Sequence, residues 1–240
     1  MNICGHRGAS GYAPENTLEA FALAAEQGAD SVELDVHLTR DGELLVAHDE
    51  SIERVSDGTG LIADLTLAQL KKFNFNKLHP EYENAKAPTL GEVYELLKPL
   101  GLQVNVELKT GVNPYPGIEE KCLELAAKMG MEDKVLYSSF NHMSLERIKA
   151  LNPEIYCGML YESVLLRPWR YAKDNKMNAV HPRFQHVLFM PDFCARAHRA
   201  GIEVNVWTVN SERDMKRVIE AGVDMIITNY PDRARALLNL

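Results

Sequence analysis

Residues 31–49 read SVELDVHLTRDGELLVAHD. Up to Leu38 the stretch alternates, with Val32, Leu34 and Val36 on one side and Glu33, Asp35 and His37 on the other. That period of two is the period of a strand. Two carboxylates two residues apart on one strand face repel each other, so something in the folded chain must offset their charge. The "RDG" that follows predicts a turn, and "ELLVAHD" a returning strand, so the stretch reads as a strand with a hairpin extension.

The rest of the chain places this strand in a repeating series. "NICGH" predicts a strand before it, and "NTLEAFALAAEQG" a helix that Gly28 stops. Residues 50–88 are less regular, with one short helix near "TLAQLKKF". "TLGEVYELLKPLG" is a helix whose Thr89 and Glu92 have the spacing of a capping box. From there strand and helix patterns alternate to the end: "LQVNVEL", "GIEEKCLELAAKMG", "KVLYSSF", "HMSLERIKALN", "EIYCGML" and "RPWRYAKDN". "NAVHP", "PDFCARAHRAG", "IEVNVWTV", "SERDMKRVIEAG", "DMIITNYP" and "DRARALLNL" complete the series.

The 240 residues are close to the roughly 250 of one (β/α)8 barrel. Alternating βα units favour a closed parallel barrel over an open sheet. The expectation is an α/β chain folded as a (β/α)8 TIM barrel. Residues 1–240 form a single domain, with 50–88 a short irregular insertion at the rim after the second strand. No Gly/Ser- or Pro-rich linker divides it.

Strands of a parallel sheet covered on both faces should be continuously apolar. Here Glu33 and Asp35 share a face, as do Asn105, Glu107 and Lys109, and Asn205 and Trp207. In a barrel the apolar faces pack under the helices and the polar faces point into the lumen, towards the C-terminal rim where active sites of this fold lie. Three carboxylates converging there are strongly unfavourable without a cation among them.

Composition narrows the function. Hydrophobic residues make up 46% and charged residues 25%, ordinary for a globular chain. A net charge of −8 argues against a nucleic-acid surface, which needs clustered Lys and Arg. Cys4, Cys122, Cys157 and Cys194 have no metal-ligand or CxxC spacing and read as buried thiols of a reducing compartment. "MNICGHRG" has no signal-like region, and no apolar run approaches the ~18 residues of a membrane span. A cytoplasmic protein without integral membrane association, monomeric or homodimeric, is expected.

Glu33, Asp35 and Glu107 are hard oxygen donors suited to one divalent cation, Mg²⁺ or Ca²⁺, with Mn²⁺ possible. Arg7 and Lys109 add positive charge beside it, as a phosphate-bearing substrate requires. His6 and His48 divide acid and base duties near neutral pH. Together these groups describe phosphodiester hydrolysis. Other positions stay open. Glu15 is either a rim stabiliser or a site residue, and capping alone would explain Asn16. His181 ends a strand and either faces the pocket or fills the core. Trp207 is either barrel filler or an apolar wall for the substrate. His79, His142, His186 and His198 read as surface or loop histidines.

"HRGASGYAPENTLEAF", "GADSVELDVHLTRDGELLVAHD" and "VNVELK", with "VNVWTVN" and "GVDMIITNYPD", resemble the glycerophosphodiester phosphodiesterase family from the first strand to the last. The resemblance implies a TIM barrel, with His6 and His48 as catalytic histidines and Glu33, Asp35 and Glu107 as metal carboxylates. It implies phosphate contacts from Arg7 and Lys109, and a small-molecule glycerophosphodiester substrate such as glycerophosphocholine or glycerophosphoethanolamine. The short 50–88 segment resembles that of the compact bacterial cytoplasmic members. Two alternatives share these residues. A lysophospholipase D would need an apolar groove or membrane-facing patch, and no amphipathic basic helix is evident. A non-catalytic phosphate-ligand barrel is opposed by the complete set of histidines and carboxylates.

Overall fold

In the computed structural model, which describes residues 1–238, the opening stretch forms β2 (Ser31–Leu38), every residue of it buried. Its first six residues pair in parallel with β4 (Gln103–Leu108), setting Glu33 beside Asn105 and Asp35 beside Glu107. Its other edge pairs in parallel with β1 (Asn2–His6), aligning His6 with Glu33. The last residues of β2 run beyond the barrel and pair antiparallel with β3 (Leu44–Val46), the expected hairpin.

The sheet continues through β5 (Val135–Ser139), β6 (Cys157–Tyr161), β7 (Ala179–Pro182), β8 (Glu203–Val206) and β9 (Met225–Thr228). Strand β9 returns in parallel to β1, so eight parallel strands close on themselves and β3 alone lies outside. This is a (β/α)8 barrel, as expected. The helices that follow the strands are α1 (Leu18–Glu26), α3 (Leu90–Leu97), α4 (Ile118–Met129), α5 (His142–Leu151) and α6 (Pro168–Asp174), then α8 (Phe193–Arg199), α9 (Glu212–Glu220) and α10 (Pro231–Leu238). Two short helices are additions: α2 (Leu67–Leu70) within the insertion and α7 (Phe184–Phe189) between β7 and α8. Residues 183–190 carried no assigned element in the sequence, because a helix of six residues has too few turns to register.

The strand alternation sorts the two sides as expected. Val32, Leu34, Val36, Val104, Val106 and Leu108 pack with the helices in the main core. A separate apolar plug of Cys4, Leu136, Met225 and Ile227, with Tyr156 and Trp207 against it, fills the lumen. The polar lumen residues stand with it rather than in the outer core. The Thr89–Glu92 capping box forms, with the Glu92 carboxylate accepting from the Thr89 amide at 2.7 Å and Thr89 Oγ1 accepting from the Glu92 amide at 3.2 Å. Residues of the 50–88 segment build a small core of their own on the hairpin, around Leu45, Ile52, Ile62, Leu70 and Phe75. That core fixes an otherwise irregular segment over the rim.

All four cysteines are free and buried. His186 corrects its expected surface position. It sits on α7, is buried and stacks on Tyr161 with ring centroids 5.9 Å apart, because α7 folds back over the end of β6. Among the described residues no helix is long and apolar enough to cross a membrane.

Candidate active site

The three carboxylates of Glu33, Asp35 and Glu107 converge at the C-terminal rim. One oxygen from each lies within 4.8 Å of the others, and all three residues are buried. The β2–β4 register places Asp35 and Glu107 side by side, and Glu33 stands one lumen step below Asp35. Electrostatics follow from that crowding. Burial and the charges of Asp35 and Glu107 push Glu33 well above the ordinary carboxylate range. Burial and Asp35 also raise Glu107. Asp35 moves the other way: against the cost of burial, Lys109 and Arg7 hold it below the ordinary range.

Two cations flank the cluster. Lys109 Nζ donates to Glu107 Oε1 at 2.9 Å and lies 3.5 Å from Asp35 Oδ1. Arg7 Nε lies 3.4 Å from Asp35 Oδ2, and the Arg7 backbone amide donates to Glu33 Oε2 at 3.0 Å. That donation needs the left-handed backbone of Arg7, φ 55°, a strained conformation for a non-glycine residue and one that clusters at functional sites. Gly8 follows at φ 82°, and a Cβ there would sit 2.5 Å from the Ala20 backbone. The turn after β1 therefore presses directly on α1.

His6 and His48 line the same cavity as Arg7, Glu33 and Glu107, a space of about 190 Å³. His6 Nδ1 is 2.7 Å from Asn229 Oδ1. A carbonyl oxygen can only accept, so Nδ1 carries the proton and Nε2, 4.0 Å from Glu33, is left with its lone pair. Burial and the neighbouring Arg7 lower His6 to about 3, which keeps the ring neutral. His48 Nδ1 donates to Asp49 Oδ1 at 2.5 Å. Its carbonyl accepts from His37 Nε2 at 3.1 Å, and the other ring nitrogen of His37 meets Tyr115 Oη at 3.1 Å.

A chain of charges then links the two histidine regions. Asp49 accepts from Arg54 Nε, Arg54 makes two bonds to Glu15, and Glu15 accepts from Arg7 at 2.9 Å. Glu15 is thus the positioning partner of Arg7. Asn16, at φ 58°, donates from its side chain to Asp35 Oδ2 at 2.9 Å. The helix cap is Thr17, whose Oγ1 accepts from the Ala20 amide, so capping does not explain Asn16.

The other open positions resolve as follows. Trp207 forms the apolar wall of the cavity with Phe140, their rings edge to face at 5.5 Å. His181 is fully buried in the lumen and does not line the cavity. Its Nε2 accepts from Asn205 at 2.9 Å, and its carbonyl accepts from Trp207 Nε1 at 2.7 Å. Burial lowers it to about 3. Sequence reasoning missed Asn229, Asp49, Arg54, His37 and Phe140. "HD" immediately before the insertion was a signal for Asp49; nothing local marks Arg54.

The donor set fits a hard cation. All three candidate ligands are oxygens, Asp35 Oδ1 is buried without a hydrogen-bond partner, and three carboxylates face two basic side chains. Glu33, Asp35 and Glu107 are the residues that could hold such a cation, which would supply positive charge among them.

Comparison with known proteins identifies the family. The glycerophosphoryl diester phosphodiesterase family model matches residues 6–233. A glycerophosphodiester phosphodiesterase of Caldanaerobacter subterraneus subsp. tengcongensis is 40% identical over 239 residues, 99% of this chain and 96% of that protein. One from Bacillus altitudinis is 39% identical over 236 residues, 97% of this chain and 96% of that protein. An Oleispira antarctica phosphodiesterase, solved in complex with the product sn-glycerol-3-phosphate, has a TM-score of 0.92 at 30% identity, covering 100% of this chain and 97% of that one. The chain belongs to the glycerophosphoryl diester phosphodiesterase family.

Proposed function

We propose that the protein, acting as one catalytic domain, hydrolyses glycerophosphodiesters such as glycerophosphocholine and glycerophosphoethanolamine to sn-glycerol 3-phosphate and an alcohol. The observation that carries this reading is the buried carboxylate triad beside Arg7 and Lys109, with Glu33, Glu107 and Arg7 lining a cavity shared with two histidines. The ligand of the Oleispira antarctica neighbour, sn-glycerol-3-phosphate, supports the glycerol half of the substrate.

A divalent cation, Mg²⁺ or Ca²⁺, held by Glu33, Asp35 and Glu107 supplies charge stabilisation at a phosphoryl oxygen. The remaining work falls to the chain's own groups. Arg7 and Lys109 hold the phosphoryl group and offset the charge that builds on it in the transition state. His6, neutral and with Nδ1–H committed to Asn229, offers Nε2 as the base for the attacking oxygen, that of water or of the neighbouring glycerol hydroxyl. His48, as the imidazolium with its Nδ1–H donated to Asp49, delivers its Nε2 proton to the leaving alcohol. Phe140 and Trp207 supply an apolar wall for the carbon skeleton of the substrate. Four buried free thiols support a reducing, cytoplasmic setting.

The test is release of sn-glycerol 3-phosphate from glycerophosphocholine by chelator-treated protein, with and without added Mg²⁺ or Ca²⁺. Metal-restored release is expected. No release with any divalent metal or headgroup would falsify the reading.

A further inference from the structure

Six large apolar side chains, Val112, Phe140, Met143, Val164, Leu166 and Phe189, are 43–97% exposed. Val112, Phe140, Val164 and Leu166 lie on the connections that leave the C-terminal ends of β4, β5 and β6, and Met143 and Phe189 on the helices that follow β5 and β7. They form one arc of the rim, outward from the cavity wall that Phe140 already lines. Leu166, at 97%, is the most exposed. The loop carrying it begins α6, where Arg167, Arg170, Arg196 and Arg199 surround Trp169 in a shallow depression. Of these arginines only Arg196 has a carboxylate within 4 Å among the described residues, Asp192 at 2.7 Å. Glu162, the acidic residue of the same loop, faces Arg183 at 4.0 Å instead.

We propose that this arc docks the enzyme on an anionic lipid surface, with Val164 and Leu166 entering the headgroup layer and Arg167, Arg170 and Arg199 meeting lipid phosphates. Both halves of the patch are needed to choose the occupant. A free phosphate accounts for the arginines and leaves Leu166 and Val164 in water. A second copy related by a twofold axis through the patch would set arginine cluster against arginine cluster, a like-charge contact that lowers affinity on the order of a hundredfold or more. An anionic bilayer takes apolar tips and cations together. The sequence showed no basic amphipathic helix because the arginines come from two neighbouring helices, Arg167 and Arg170 from the start of α6 and Arg196 and Arg199 from the last turn of α8. The inference rests on the surface alone and stands whichever diester the cavity cleaves.

The experiment is co-sedimentation of the full chain with sucrose-loaded vesicles of phosphatidylglycerol and phosphatidylcholine, against pure phosphatidylcholine vesicles. Partitioning at least tenfold stronger on the anionic vesicles is expected, falling as salt is raised. Arg167→Gln, Arg170→Gln and Arg199→Gln together should lower it at least tenfold, since each basic residue near such a surface contributes about fivefold. Val164→Asp with Leu166→Asp should abolish it, while turnover of a water-soluble diester and the circular dichroism spectrum stay unchanged. Equal sedimentation with both vesicle types, or undiminished binding by the arginine variant, overturns the proposal. So does a dimer, detected by light scattering, that dissociates on Leu166→Asp.

Discussion

Arg54 and Glu15 are joined by two parallel hydrogen bonds, Nη1 to Oε2 at 2.8 Å and Nη2 to Oε1 at 2.7 Å. Arg54 comes from the insertion and Glu15 from the loop after β1, so this fork ties the segment carrying His48 and Asp49 to the turn carrying Arg7. Glu15 is held below the ordinary carboxylate range, burial being outweighed by Arg54 and Arg7. It is therefore ionised and able to accept from both guanidinium groups. Arg54→Gln removes the fork without substituting any residue that lines the cavity. We expect kcat/KM on glycerophosphocholine to fall roughly 10–100-fold, mostly in kcat, from misplacement of His48 and Arg7. Arg54→Lys should recover little, because an ammonium cannot make the paired contact. Steady-state kinetics that leave both variants near the parent would remove the fork from the mechanism.

The carboxylate triad predicts a stability effect separable from turnover. A cation bound by the folded chain and not by the unfolded one stabilises it by about 2.7 kcal/mol at a concentration one hundred times its Kd. For a chain of this length that corresponds to a rise of roughly 5–10 °C in Tm. Adding Mg²⁺ or Ca²⁺ to chelator-treated protein should produce such a rise in a thermal melt. Asp35→Asn should abolish it, because Asp35 is the member of the triad held below the ordinary carboxylate range and its Oδ1 has no hydrogen-bond partner. A metal-induced shift of the same size in Asp35→Asn would place the ion elsewhere.

Gly158 and His181 face each other across the β6–β7 pair. A Cβ built on Gly158 would lie 2.0 Å from His181 Nε2, which lies within the lumen with no space to retreat. Gly158→Ala should therefore destabilise by about 1–3 kcal/mol, the usual cost of overpacking a filled interior. In a His181→Ala background the same substitution should cost far less. A double-mutant cycle by urea unfolding reads the coupling directly, and additive effects would show that the methyl is accommodated by the backbone instead.

The barrel and the triad were legible in the sequence because both follow from a period of two. Glu33 with Asp35, and Asn105 with Glu107, could share a strand face only by pointing into a lumen, and that geometry brings them together. What stayed hidden depends on contacts between distant segments. Arg54 reaches Glu15 only because residues of the insertion bury Ile52, Ile62 and Leu70 against the hairpin. Asn229 meets His6 because β9 closes against β1, 223 residues away in the chain. His186 looked like a loop residue because α7 is too short to show helical periodicity.

His181 carries a prediction about acid. The ring is fully buried, and burial lowers it to about 3 in the folded chain, against about 6.5 for an unfolded histidine. Between these values the unfolded chain binds a proton that the folded chain does not, so stability falls as pH drops below about 6.5. The loss attributable to this one group between pH 7 and pH 5 is about 2 kcal/mol, and it continues at about 1.4 kcal/mol per unit down to pH 3. His181→Gln keeps an acceptor for Asn205 and removes the titration. Urea unfolding at pH 7 and pH 5 should then show a pH-dependent loss about 2 kcal/mol smaller in His181→Gln than in the parent. The absolute stability of the variant at pH 7 does not enter that difference, so a merely loosened core would not reproduce it. Equal losses in the two proteins would mean that the acid sensitivity arises at other groups and that the imidazole of His181 takes up its proton without unfolding the barrel.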